Sequence, residues 1–318
     1  MDVRAQQVRR RGLEALTRYF GPVINAALAD PQVVEIMLNP DGQLWLDYLD
    51  DRGFVQAGEL GAAQAMGIIT TVAGMLNVVV TPDDPILECE LPSDGSRFEA
   101  LIPPVVTGPM FSIRKRALRV FTLADYVSQG IMAPAQQDAI EQAVAARHNI
   151  LVCGGTGTGK TTLANAILEA VSRISPRHRL ITIEDTRELQ SAVANEAFLR
   201  TSDNVNMTRL LRATMRLYPT RIVVGEVRDA SALALLKAWN TGHPGGVGTV
   251  HANHCEAALV RMGQLIQEAG VPPAPELIAE AIHVVVSIVR AGAGRKVEEV
   301  VRVTGYRPER GFITERIA

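Results

Sequence analysis

Residues 154–162 read GGTGTGKTT, a run whose residue types and spacing suit phosphate chemistry. It fits the pattern G-x-x-x-x-G-K-[ST] from Gly154 to Thr161. The apolar run NILVCG precedes it, and Leu163, Ile167, Val171 and Ile174 follow at three- and four-residue spacing. That is the strand–loop–helix context the pattern needs. Glycines let such a backbone curl until its N–H groups converge on phosphate oxygens, and the N-terminus of the following helix adds positive potential. Gly154, Gly155, Thr156, Gly157, Thr158, Gly159, Lys160, Thr161 and Thr162 are therefore expected to cradle ATP. Lys160 is expected on the β- and γ-phosphates and the Thr161 hydroxyl on Mg²⁺.

Hydrolysis also needs a group that positions water and a means of neutralising the charge that develops. RLITIED (179–185) ends an apolar run with Glu184 and Asp185, and RIVVGEVRD (221–229) ends another with Glu226, Arg228 and Asp229. Carboxyl ends of parallel strands face the crevice that holds a phosphate loop, so both acidic groups are expected to reach the phosphates. Gly225 stands where P-loop ATPases usually carry a magnesium-holding Asp. The ion is thus expected to rely on Thr161, on water, and on Asp185 or Glu226. TGHPGGVGTVHANH (241–254), with Cys255 next, gathers His243, His251 and His254 near a thiol. A structural zinc site takes a spread tetrahedral ligand set. His251, His254 and Cys255 are crowded, so metal binding is the weaker reading, and a solvated or core histidine is the better one for His254.

Positioning these groups takes two kinds of architecture. Residues 3–20 have Val8, Leu13, Leu16, Tyr19 and Phe20 close to one helical face. QLWLDYL (43–49) and ILECELP (86–92) alternate with period two, and Asp-Gly turns lie at 41–42 and 94–95. With a helix near 60–76, residues 1–120 are predicted to form a small α+β domain. Residues 117–135 carry weak periodicity with Gly130 and Pro134, and 121–135 is predicted to be a linker. From 136 to 318, strands are predicted at 149–153, 179–184, 221–225, 246–251, 284–290 and 297–304, separated by helix-length segments. The first four are almost continuously apolar, which predicts an α/β domain on a mainly parallel sheet buried on both faces.

Among 318 residues, 47% are hydrophobic and 21% charged, with a net charge of −2, which fits a folded α/β protein. The charge balance counts against direct nucleic-acid binding, which favours a strongly basic face. Cys89, Cys153 and Cys255 are scattered and form no CxxC pair, as suits a reducing, cytoplasmic setting. No apolar run backs the basic N-terminal residues as a signal peptide would, and none is long enough to span a bilayer. Arg9–Arg11 on the 3–20 helix leave peripheral contact with an anionic membrane open. Arg209, Arg212 and Arg216 fit either a solvated helix face or an intersubunit or nucleic-acid contact.

Taken in order, GGTGTGKTT, ITIEDTREL, RIVVGEVRD and TGHPGGVGTVHANH resemble the secretion-superfamily ATPases, the hexameric motors of type II secretion, type IV pili and type IV secretion. The four elements match that family's Walker A loop, acidic Asp box, Walker B strand ending Gly-Glu, and His box across residues 150–260. LLKAWNTGHPGG and the lack of a CxxC module place the chain nearest the conjugative branch of type IV secretion. The resemblance implies a RecA-like P-loop domain and a homo-hexamer using ATP and Mg²⁺. Its partners would be inner-membrane components of the apparatus, which it would meet at the cytoplasmic face. It implies Glu184 as water-activating base, Glu226 in magnesium organisation or water positioning, and His243 and His251 near the γ-phosphate. SRFEALIPPV (96–105) and FSIRKR (111–116) fall where family members supply arginines to the nucleotide, which implies catalytic roles for Arg97 and Arg114.

Several rival readings remain. A pilus-retraction motor shares these elements, and a DNA-dependent RecA-like ATPase shares the loop but lacks aromatic stacking platforms here. A small-molecule kinase would need an acceptor-binding insert, for which 163–220 has no room. A nucleotide-binding scaffold would have no use for Glu184 and Glu226.

Overall fold

The period-two segments at each Asp-Gly pair fold as hairpins. At the first, Asp41 Oδ1 accepts from the Gln43 amide at 2.9 Å and Gly42 takes φ +86°, a conformation that glycine adopts without steric cost. The computed structural model describes residues 3–48, 52–116, 120–202, 204–292 and 294–318, with only the backbone at 3–5. Leu49 and residues 117–119, parts of the predicted strand and connector stretch, lie outside the described residues. Two compact units, Met1–Leu118 and Arg119–Ala318, divide the chain.

The first unit runs α1 (Val3–Ala29), β1 (Val33–Leu38), β2 (Gln43–Tyr48), β3 (Val55–Glu59), α2 (Ala62–Met75), β4 (Ile86–Glu90), β5 (Arg97–Leu101) and β6 (Met110–Arg114). Among the described residues its strands form a six-stranded antiparallel sheet in the order β3-β2-β1-β6-β5-β4. One face of the sheet buries Ile36, Leu38, Phe98, Ala100, Phe111 and Ile113 with Leu16, Phe20 and Ile24 of α1 and Ile68, Ile69 and Val72 of α2. Each large aliphatic or aromatic side chain removed from water there contributes about 1.5–3 kcal/mol. Helix α1 kinks at Gly21 (φ 65°), just before Pro22. Val8 and Tyr19, expected on its buried face, are instead exposed, although the Tyr19 ring still covers Gly67 of α2. Arg9, Arg10 and Arg11 are exposed as well.

The second unit runs α3 (Leu123–Ser128), α4 (Pro134–Ala145), β7 (Ile150–Gly154), α5 (Lys160–Ile174), β8 (Arg179–Glu184), β9 (Asn195–Arg200), α6 (Met207–Thr214) and β10 (Arg221–Val224). It continues with α7 (Ser231–Asn240), β11 (Val247–His251), α8 (Cys255–Gln267), α9 (Pro275–Ala281), β12 (Val284–Ala291), β13 (Gly294–Arg307) and β14 (Gly311–Arg316). The strands form an eight-stranded sheet among the described residues, ordered β14-β13-β12-β7-β11-β10-β8-β9. From β12 to β9 neighbours are parallel, and β13 and β14 add an antiparallel edge. Alternation along β7 sends Ile150 and Val152 to the α5 face and Leu151 and Cys153 to the α7–α8 face, so both faces are buried.

Residues 121–135, read as a connector, hold α3 and bury Leu123, Tyr126 and Met132 in the core of this unit. Thr122 and Asp125 cap α3 reciprocally, a local T-x-x-D signal. Arg209, Arg212 and Arg216 lie exposed on and just after α6. No helix among the described residues is long and apolar enough to cross a membrane.

The sheet is fastened at the ends of its strands remote from the glycine loop. Asn149, fully buried, accepts from the Gly245 and Gly246 amides at 2.7 and 2.8 Å and donates to the Ala281 carbonyl at 2.7 Å. Nearby, the rings of His148 and His283 stack at 4.9 Å, and Arg221 Nε donates to His178 Nδ1 at 2.9 Å. Burial lowers all three histidine pKa values, helped by Arg302 at His148, by Arg221 and Arg147 at His178, and by His148 at His283. A lowered folded-state pKa means that the unfolded chain takes up protons first as pH falls. The associated stability is full above the usual value of 6.5 and is lost as pH drops through it. The melting temperature is therefore expected to be flat from about pH 7 to 8 and to fall toward pH 5.5. Thermal melts across that range check this, and a melting temperature that holds or rises at pH 5.5 contradicts it.

Candidate active site

β7 passes into α5 through the glycine loop. A β-carbon on Gly154 would lie 2.4 Å from the Ile288 carbonyl oxygen, so only glycine lets β12 close against the loop. Gly159 takes φ +92° at the N-cap of α5. Thr158 Oγ1 and Lys160 Nζ both donate to the Gly155 carbonyl, at 3.0 and 2.9 Å, which holds the curl. Lys160 is only 7% exposed. A buried ammonium at a helix N-terminus, beside glycine backbone, suits a polyphosphate. Thr161 and Thr162 occupy the first turn of α5, and an open crevice leads from Gly155, Thr156 and His251 along α8 to Arg261.

From Lys160 a line of charged and polar groups crosses the carboxyl ends of the strands. Lys160 Nζ lies 3.3 Å from Nδ1 of His251, the last residue of β11. His251 Nε2 lies 2.8 Å from Glu226 Oε1, just past β10, and Glu226 Oε2 lies 3.6 Å from Arg228 Nε. Arg228 also pairs with Asp185, just past β8, whose Oδ1 accepts from Thr201 Oγ1 at 2.7 Å. At about 4.8 Å per strand, Glu226 stands about 10 Å and Asp185 about 14 Å along the sheet from β7. Thr161, Asp185 and Glu226 are oxygen donors, the hard set that magnesium takes.

Glu184, 4% exposed, accepts from the Leu189 amide at 3.1 and 3.2 Å and from the Glu188 amide at 3.3 Å. Its side chain leans across the end of β10. A β-carbon on Gly225 would meet Glu184 Cγ and Oε1 at 2.6 Å. The missing side chain at 225, where P-loop ATPases usually carry an Asp, leaves the room that Glu184 fills. The sheet therefore brings Glu184 nearer the loop than its own backbone stands.

The other histidines separate. His243 precedes β11, and its Nδ1 contacts the Pro219 carbonyl, ahead of β10, at 3.0 Å. In a parallel sheet that is the end away from the phosphate loop, so His243 does not stand with His251 as the His-box resemblance implied. His254 caps α8, its ring accepting from the Ala257 amide, and Cys255 is buried with Sγ 3.6 Å from the Val285 carbonyl.

Within the first unit, Arg97 and Arg114 are cross-strand partners on the sheet face opposite the helices, with Glu90 and Glu35 as their outer neighbours. Two sequence-distant arginines thus form one exposed pair. Lys115 between Arg114 and Arg116 is spoken for. Its ammonium donates to the carbonyls of Ala27, at 2.9 Å, and Asp30, closing the end of α1, and burial lowers its pKa.

Sequence reasoning missed two arginines of the second unit. Arg290 and Arg295, at the β12–β13 hairpin, lie against Gly157 and Gly159 of the phosphate loop. Their only sequence signal is a pair of basic residues around a glycine turn.

The family described as Type II/IV secretion system protein matches residues 23–309. The conjugal transfer protein TrbB of Rhizobium radiobacter is 51% identical over 288 residues, covering 91% of this chain and 89% of TrbB. The type IV secretion system protein PtlH of Bordetella pertussis is 32% identical over 313 residues, covering 86% of this chain and 91% of PtlH. Among solved structures, the Legionella pneumophila ATPase DotB superposes with a TM-score of 0.63 at 18% identity, over 90% of this chain and 80% of DotB.

Proposed function

Because this chain belongs to the type II/IV secretion system protein family, we propose that it hydrolyses ATP as a hexameric ring to power type IV secretion, in conjugative DNA transfer or pilus assembly. The observation that carries this reading is the line of polar contacts from Lys160 through His251 and Glu226 to Arg228 and Asp185, running beside a phosphate loop. In it the loop amides and Lys160 bind and orient the phosphates of ATP, the substrate. Glu184 takes the proton of the attacking water, and Glu226 positions that water while holding His251 against Lys160. Thr161, Glu226 and Asp185 would be the oxygen donors available to hold magnesium, partly through water. When bound, the ion neutralises charge on the phosphates. Arg97 and Arg114 cover the nucleotide from the first unit of the same or a neighbouring subunit. The ring docks on inner-membrane components of the secretion apparatus from the cytoplasmic side.

The test couples phosphate release to sedimentation velocity over a dilution series of the protein. Specific activity is expected to rise with concentration as hexamers form. Arg97→Ala and Arg114→Ala are expected to cut turnover by up to about 10³-fold while weakening ATP binding far less. Absence of phosphate release at every concentration contradicts the hydrolase, and a fully active monomer contradicts the ring.

A further inference from the structure

Arg290 and Arg295 stand directly opposite each other across the β12–β13 hairpin. Opposed residues of an antiparallel pair share a face, and period two places both on the face of Ile288 and Val297, which pack in the core with α5. That face is the one toward the phosphate loop. A β-carbon on Gly157 would lie 2.9 Å from Arg290 Nη2, and one on Gly159 would lie 3.2 Å from Arg295 Cδ and 3.5 Å from its Nε. Neither guanidinium is in an ion pair among the described residues, and Arg290 is exposed. Like charges set directly opposite one another destabilise a strand pair. Two of them against a loop already holding Lys160 concentrate positive charge there, which an anion lying between them would offset. Unlike Arg97 and Arg114, they have no carboxylate opposite them in the strand register to share that charge.

Their side of the loop matters. β12 flanks β7 on one side, while β11, β10 and β8, which carry His251, Glu226 and Glu184, extend on the other. The arginines therefore stand away from the groups assigned to water attack. We propose that Arg290 and Arg295 form a second cationic wall of the nucleotide site and bind the non-transferred phosphates of ATP and ADP. The proposal rests on the nucleotide reading above and deepens it. Contacts to phosphates that both substrate and product keep act equally on ground state and transition state, so they set affinity rather than the chemical rate.

The experiment uses Arg290→Gln and Arg295→Gln, which remove the charge and keep a shorter polar side chain, beside the parent and Lys160→Ala. Calorimetric titration with magnesium–ATP, magnesium–ADP and magnesium–tripolyphosphate is paired with steady-state kinetics and thermal melts. Each Gln variant is expected to weaken all three ligands by about 10-fold or more and to raise KM with kcat nearly unchanged. The ligand-free melting temperature should stay level or rise, because a like-charge repulsion is gone, while the shift that ATP produces should shrink. Arg290→Lys should recover part of the affinity.

Unchanged affinity in both Gln variants overturns the proposal, and so does a fall in ligand-free melting temperature, which would make the pair structural. A loss for ATP and ADP with none for tripolyphosphate overturns it too, since the arginines would then face the base. Failure of the underlying reading looks different. The parent would then bind no nucleotide, or would bind it as tightly after Lys160→Ala, and this proposal would fall with it.

Discussion

Lys160→Ala is expected to lower ATP turnover by about 100-fold or more and to weaken ATP binding, with the fold intact. The lysine is a buried cation at the loop, and its ammonium bonds the Gly155 carbonyl and reaches His251. Alanine removes a charge-assisted contact to the phosphates and also releases His251 from one of its neighbours. The loop keeps the Thr158 bond to Gly155, so its curl should survive. Phosphate release and a thermal melt on the same preparation check both halves. A Lys160→Ala protein that turns over at half the parent rate or better removes the phosphate-loop assignment.

Glu184→Gln is expected to bind ATP and hold it unhydrolysed, with turnover reduced by about 10²–10⁴-fold. Both carboxylate oxygens lie close to the Leu189 amide, so a single amide oxygen can keep that bond while the group loses its basicity. Glu226→Gln is expected to act differently. It loosens the tie to His251 and the approach to Arg228 together, so metal dependence should shift along with rate. Rapid-quench turnover and retention of labelled ATP after gel filtration separate the two. Normal turnover by Glu184→Gln, with ATP trapped by Glu226→Gln, would exchange their roles.

Much of this site can be read from local signals. The loop needs only its own residues and flanking periodicity, and Glu184, Asp185 and Glu226 are placed by ending apolar runs. The limits of such reading are topological. That His243 and His251 lie at opposite ends of β11 follows from strand polarity, which closeness in sequence hides. That Arg290 reaches Gly157 depends on β12 lying beside β7, and no single segment encodes that neighbour. Strand β9 is only half buried and sits at the sheet edge, so it shows no clean apolar run. In the first unit, β1 pairs with β6 across a long sequence separation, and that pairing supports the Arg97–Arg114 face. Helix α3, within the stretch read as a connector, carries a local signal of its own in the reciprocal caps Thr122 and Asp125.

Asn149 has a consequence for accuracy. Its amide ties the glycines ahead of β11, the end of α9 and the start of β7 at one point. Everything measured from there along the strands inherits that alignment, including His251 opposite Gly154 and Ser287 opposite Cys153. A slip of one position would displace a partner by about 3.3 Å and turn it to the other face of the sheet, whereas catalytic groups tolerate about 0.5 Å. The tolerance of the phosphate end is thus set by a buried amide at the opposite end, which acts as the reference mark from which the site is laid out.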